Sequence, residues 1–292
     1  MKPEVVATGI QFPEGPVWCP ADGAATGTIV CTSVADGSLE RVHVADGRVE
    51  RVATLGGGAN AAAPCRDGGY LVTQNGGIDF SSLRLYADDP PRYEPVTPGI
   101  QRVAPDGTVT YLNDRGFLAP NDLVVTDDET LWFTDPPHYP PSGEPSGRIH
   151  AMAPDGTTRV VASGFQYCNG IARDPQGTLV IVEGLGLQRL RPDGSRDWIV
   201  EQLPDAPGDG LCVDTDGRIY VANTTAHGVR VLDADGRELE FLALDGRGTT
   251  TNCCFGGADG QTLFATDGVP GSIVAWEGLP APGVPVRAWA GP

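Results

Sequence analysis

Asp-Gly recurs thirteen times along the chain, at 22, 36, 46, 67, 106, 155, 193, 209, 216, 235, 245, 259 and 267. Glycine after aspartate supplies positive φ at low cost, so this pair between short apolar runs marks tight hairpin turns. The intervening runs are short and β-branched or alternating: Thr28-Ile-Val-Cys31, Leu131-Trp-Phe-Thr134, Leu179-Val-Ile-Val182, Arg218-Ile-Tyr-Val221 and Leu263-Phe-Ala-Thr266. No apolar stripe of 3.6-residue period reaches helical length. The 40 glycines and 26 prolines would suit a disordered chain, but 40% hydrophobic residues provide a large core, which assigns the glycines to turns. The chain is predicted to be all-β.

The hairpins themselves repeat. Each unit opens on a polar residue followed by a small or apolar strand: Glu14-Gly-Pro-Val-Trp18, Asn60-Ala-Ala-Ala63, Asn121-Asp-Leu-Val-Val125, Asn169-Gly-Ile-Ala172, Asp209-Gly-Leu-Cys-Val213 and Asn252-Cys-Cys-Phe255. The starts lie 46, 61, 48, 40 and 43 residues apart. Four strands at such a period make a propeller blade, and six blades account for all 292 residues. The expectation is one domain over residues 1–292, a six-bladed β-propeller of four-stranded antiparallel blades. Val5-Val-Ala-Thr8 has no hairpin partner and is expected to close the last blade as its outer strand, which protects an exposed edge. The long second interval holds a Pro-rich insertion, Asp88-Asp-Pro-Pro-Arg92 and Pro95 to Pro98, expected as a surface loop.

Charge narrows the partners. Twenty basic against 38 acidic residues leave a net charge of −18, with Lys2 the single lysine. Nucleic acid and anionic membrane both need clustered cations, so neither is expected. No run approaches a membrane-spanning length, and Met1 to Ile10 lacks a basic start and long apolar stretch, which predicts a cytoplasmic protein. Seven cysteines, at 19, 31, 65, 168, 212, 253 and 254, show no metal-type spacing and read as reduced core thiols. Oligomeric state is not legible.

In a radial array, equivalent positions face one axis. The six strand starts, Glu14, Asn60, Asn121, Asn169, Asp209 and Asn252, therefore converge near one mouth of the central channel. Two carboxylates and four carboxamides, without a cationic side chain, are the donor set of a hard divalent ion, most naturally Ca²⁺. Mg²⁺, Mn²⁺ or Zn²⁺ are the other ions considered. The competing reading is structural, since Asn or Asp before Gly also serves in ordinary turns.

The same segments resemble the senescence marker protein/gluconolactonase/luciferin-regenerating enzyme family of six-bladed propellers. The resemblance is carried by Pro13-Glu-Gly-Pro-Val-Trp18, Pro120-Asn-Asp-Leu123 with Leu131-Trp-Phe-Thr-Asp-Pro-Pro137, and Cys168-Asn-Gly-Ile171. It continues in Gly208-Asp-Gly-Leu211 with Gly217-Arg-Ile-Tyr-Val-Ala222, and in Thr251-Asn-Cys-Cys-Phe-Gly-Gly257 with Thr262-Leu-Phe-Ala-Thr266. It implies a divalent ion held by Glu14, Asn169 and Asp209, with Asn121 as a fourth ligand or substrate contact. Sugar-lactone members carry an arginine where this chain has Ala119, and an acidic contact where His138 and Tyr139 stand.

The expected activity is metal-dependent opening of a small-molecule lactone or ester by Lewis-acid activation. The candidate general bases are Asp209, Asp122 and His138; strand alternation would turn Asp122 away from the channel. Asn60 and Asn252 join Asn121 as candidate substrate contacts. Trp18, Tyr139, Tyr167 and Phe165 flank the ring as candidate pocket walls, and about half of these aromatics are expected between blades instead. His43 and His150 are expected as polar contacts within strands, His227 in a hairpin. Two alternatives share the fold: another reaction at the same metal, such as phosphotriester hydrolysis, isomerisation or lyase chemistry, or a non-catalytic interaction propeller.

Overall fold

The computed structural model describes every residue except 21–26, 84, 85, 87–89, 92, 93, 206 and 292. The described strands form six sheets of four antiparallel strands, five of them meanders of consecutive strands. The innermost strands are Pro13–Cys19, Ala59–Pro64, Leu123–Val125, Cys168–Arg173, Gly208–Val213 and Thr250–Gly256, and each packs on the next around a closed ring. The expected six-bladed β-propeller is the fold. Its turns use the predicted chemistry: at Ala153-Pro-Asp-Gly-Thr157, Gly156 takes φ 84° and donates to Ala153 O at 2.9 Å. The Asp155 carboxylate caps the turn by accepting the Thr157 N–H at 2.9 Å. The Asp-Gly at 22 lies outside the described residues.

The ring closes as the N-terminal pattern predicts. Glu4–Thr8 pairs antiparallel with Ser272–Trp276 and forms the outer strand of the sixth blade. Hydrophobic clusters fill the wedges between blades; Val17, Leu39, Ala62 and Val72, for example, join blades one and two. This arrangement buries both faces of the inner strands and leaves the outer strands half exposed.

The insertion in blade two departs from a plain loop. Phe80–Leu83 forms a single helical turn, too short to register as an apolar period. It is held because Phe80 is buried against Phe12, ring centroids 5.0 Å apart, with Tyr86 edge-on at 5.5 Å. Pro95 to Pro98 runs along the surface, with Val96 donating to Gly76 O at 3.0 Å. Residues 88, 89 and 92 of the Asp88–Arg92 stretch lie outside the described residues.

Candidate active site

A bulge interrupts five of the six inner strands at, or directly beside, the residue singled out by the repeat. Pairing shifts register between Glu14 and Val17, Ala59 and Ala62, Cys168 and Ile171, Gly208 and Leu211, and Thr250 and Asn252. A bulge adds a residue to one strand and re-aims its side chain. In blade three the strand begins only at Leu123; Asn121 donates its N–H to Thr134 O and Asp122 O accepts from Thr134 N–H. Glycine follows three of these positions for want of room. A Cβ on Gly15 would fall 2.2 Å from Ala61 Cα, and one on Gly210 would fall 1.9 Å from Asn252 Cγ.

Fully buried threonines on the second strands stand opposite the bulges. Thr32 donates to Asn60 O of the next blade at 2.6 Å, and Thr73 likewise to Asn121 O. Thr134 Oγ1 accepts the Asp122 N–H at 3.0 Å, and Thr266 donates to Asn252 O at 3.2 Å. Thr251 donates to Pro13 O at 2.8 Å and so ties blade six to blade one. Blades four and five carry Val182 and Ala222 at the equivalent place. The recurring Thr32-Ser, Thr73-Gln, Thr134-Asp and Thr266-Asp pairs were a visible sequence signal for this belt, missed because threonine is ordinary in strands.

Within the ring, Asn252 bridges two carboxylates. Its Nδ2 lies 3.2 Å from Glu14 Oε2 and 2.9 and 3.0 Å from the Asp122 oxygens, while its Oδ1 accepts the Cys253 N–H at 2.8 Å. Asp122 therefore faces the axis and not away from it. The alternation argument fails at this residue because regular pairing starts one position later. Asn121 instead borders the pocket above. Asp209 is half-buried and takes a hydrogen bond from Asn169.

The electrostatics are those of crowded, desolvated acids. Burial, then Asp209 and Asp122, hold the Glu14 carboxyl well above the usual range. Burial pushes Asp122 up to about 7 in spite of Asn252. Asp209 is also raised, by burial and by Asp122. Among the described residues no cationic side chain contributes to any of the three.

Two cavities flank the ring. The upper one, about 280 Å³, is lined by Asn75, Ile78, Ala119, Asn121, His138, Tyr139 and Tyr167 among others. Tyr139 and Tyr167 meet edge to face with centroids 5.5 Å apart, and Tyr167 feels the charges of Asp209 and Glu14. Ala119 is fixed from behind: Asp135 Oδ1 accepts the N–H groups of Leu118 and Ala119 at 2.8 Å. The lower cavity, about 140 Å³, has Asp122 and Asn252 among its lining residues and is bordered by Val284 to Arg287.

Other candidates fall elsewhere. Trp18 lies four residues along its strand from Glu14, roughly 13 Å at strand rise, stacked on Phe264 at 5.6 Å between blades. Phe165 is fully buried, with the Arg196 guanidinium 4.0 Å from its ring centre. Asn60 is buried in the ring strand of blade two. His43 sits beside Arg48 and Glu50, His150 stacks on Phe133, and His227 turns a hairpin at φ 59° against Asp267. The seven cysteines are free thiols.

Can the ring hold a cation? Among the described residues no group of three or more His, Cys, Asp and Glu side chains is arranged to do so unaided. An ion would need an amide oxygen, and the Oδ1 atoms of Asn169 and Asn60 are buried with no hydrogen-bond partner among the described residues. Crowded acids beside the unpartnered Asn169 oxygen fit a hard cation.

Comparison with known proteins gives the family. The family model described as SMP-30/Gluconolactonase/LRE-like region matches residues 12–268. A gluconolactonase of Zymomonas mobilis subsp. mobilis is 25% identical, the alignment covering 89% of this chain and 77% of that protein. Pentonolactonase XacC of Haloferax volcanii is 32% identical over 225 residues, covering 65% of this chain and 75% of its own. In fold, a luciferin-regenerating enzyme superposes with a TM-score of 0.79 at 13% identity, covering 99% of both chains.

Proposed function

Because the chain belongs to the SMP-30/Gluconolactonase/LRE-like family, we propose that it is a divalent-cation-dependent hydrolase that opens a small-molecule lactone, with Ca²⁺ as the cation. The observation that carries this reading is the gathering of Glu14, Asp122 and Asp209 with no cationic partner among the described residues, next to the Asn169 oxygen, which also has no partner among them. Glu14, Asn169 and Asp209 would hold the ion, with Asn121 as fourth contact from the pocket side. Oxygen donors alone, without imidazole or thiolate, favour Ca²⁺ over zinc. When bound, such an ion supplies Lewis-acid polarisation of the lactone carbonyl.

The chain's own groups do the rest. Asp209, the one acid of the three that is not fully buried, takes a proton from water at the mouth. The water oxygen bonds to the carbonyl carbon, the ring C–O bond breaks, and that proton passes to the alkoxide oxygen, which stays on the product. Asp122, tied to Asn252 beneath, holds the Asn252 amide towards Glu14 and fixes the carboxylate's direction. Asn121 orients the substrate from the pocket wall, and His138 at the rim is the second candidate base.

Acidification of a lactone panel, followed with a pH indicator, tests the reading. Turnover is expected to cease with chelator and return with Ca²⁺, and Glu14→Gln to lower kcat/KM by about two orders of magnitude or more. Chelator-insensitive turnover, or full activity in that variant, contradicts it.

A further inference from the structure

The upper cavity has a character that lactone opening by itself does not require. Tyr139 is 60% exposed although its ring meets Tyr167 edge to face. An edge-to-face pair at a cavity wall leaves an aromatic face open to a guest, and further aromatic contact there is favourable beyond area burial alone. Ile78, Ala119 and Pro137 are the other apolar side chains of the lining. The space beside Ala119 is built in, because Asp135, itself held by Arg148 at 2.6 Å and His150 at 3.0 Å, pins the Ala119 backbone.

The charge of the lining bears on the substrate as well. Among the described residues the cavity wall holds no lysine or arginine to pair with an anionic substrate. Asn75, a polar wall residue, already spends its Oδ1 on the Gly77 N–H at 2.9 Å. At about 280 Å³ the space suits a molecule of one or two rings.

We propose that the lactone taken by this site is neutral and carries an aryl substituent lying against Tyr139 and Tyr167. The inference rests on the lactone-opening reading above and adds the substrate class, with Tyr139 as the residue that determines specificity.

The test compares γ-phenyl-γ-butyrolactone, unsubstituted γ-butyrolactone and a sugar γ-lactone on the Ca²⁺-loaded full chain. The phenyl lactone is expected to show the highest kcat/KM. Tyr139→Ala should lower the phenyl-to-unsubstituted ratio by about 3- to 10-fold, mostly through KM, and Tyr139→Phe should retain it. Preference for the sugar lactone, or an unchanged ratio in Tyr139→Ala, overturns the aryl assignment and leaves lactone opening standing. Failure of the wild-type chain to open any lactone overturns the functional reading and this inference with it.

Discussion

Glu14, Asp122 and Asp209 are held where water would not leave three carboxylates, and their titration should report it. All three are raised, Asp122 to about 7, and burial is the leading cause for each. In the unfolded chain such groups titrate at about 4. Between those limits the metal-free native state binds more protons than the unfolded state, so its stability falls as pH rises. Melting temperature in chelator should therefore be higher at pH 5 than at pH 8. Below about pH 4 the trend reverses, because turn aspartates such as Asp155 and Asp106, lowered by backbone N–H groups, lose those bonds on protonation. Saturating Ca²⁺ should remove the neutral-range slope, since an ion needs the acids ionised. A chelated protein whose melting temperature rises steadily from pH 5 to 8 would contradict this picture of the ring.

At the scale of elements, the site is made by irregularity. Regular strands would alternate their side chains; the bulges turn the ring residues to the axis, and buried threonines clamp the carbonyls of the next blade. Thr73→Val should cost about 1–2 kcal/mol, the price of leaving buried groups unpaired. Its distinguishing effect is on Asn121: calcium affinity and KM should worsen while Thr73→Ser restores both, as measured by calorimetric titration and kinetics. Equal loss of stability with unchanged affinity and KM would reduce the belt to scaffolding. The sequence announced the strands, their turns and the ring positions, because these depend on local period and on Asp-Gly chemistry. It misplaced Asp122 and offered Trp18 as a wall, because a pattern of alternation carries no record of where pairing begins or which face meets the neighbouring blade.

For the molecule as a whole, six weak local signals become one site only because the ring closes. Glu4–Thr8 completes the sixth blade, and Thr251 reaches Pro13 across the seam, so residues 238 apart in sequence share a hydrogen bond. Repeat spacing made the closure readable from the sequence. Which relatives the chain resembles followed from the same ring segments, and the family model covers residues 12–268. What spacing could not convey is the chemistry of the upper cavity, whose walls come from an insertion and from loops of three blades. No described helix is long and apolar enough to cross a membrane, in keeping with a chain built from strands.

The central claim is a cation shared by Glu14, Asn169 and Asp209. Anomalous diffraction from crystals grown in calcium tests it most directly. The account predicts one peak in the ring, with oxygens of all three residues at about 2.3–2.6 Å. A ring without a peak, its three side chains spread beyond a common ion, would contradict it.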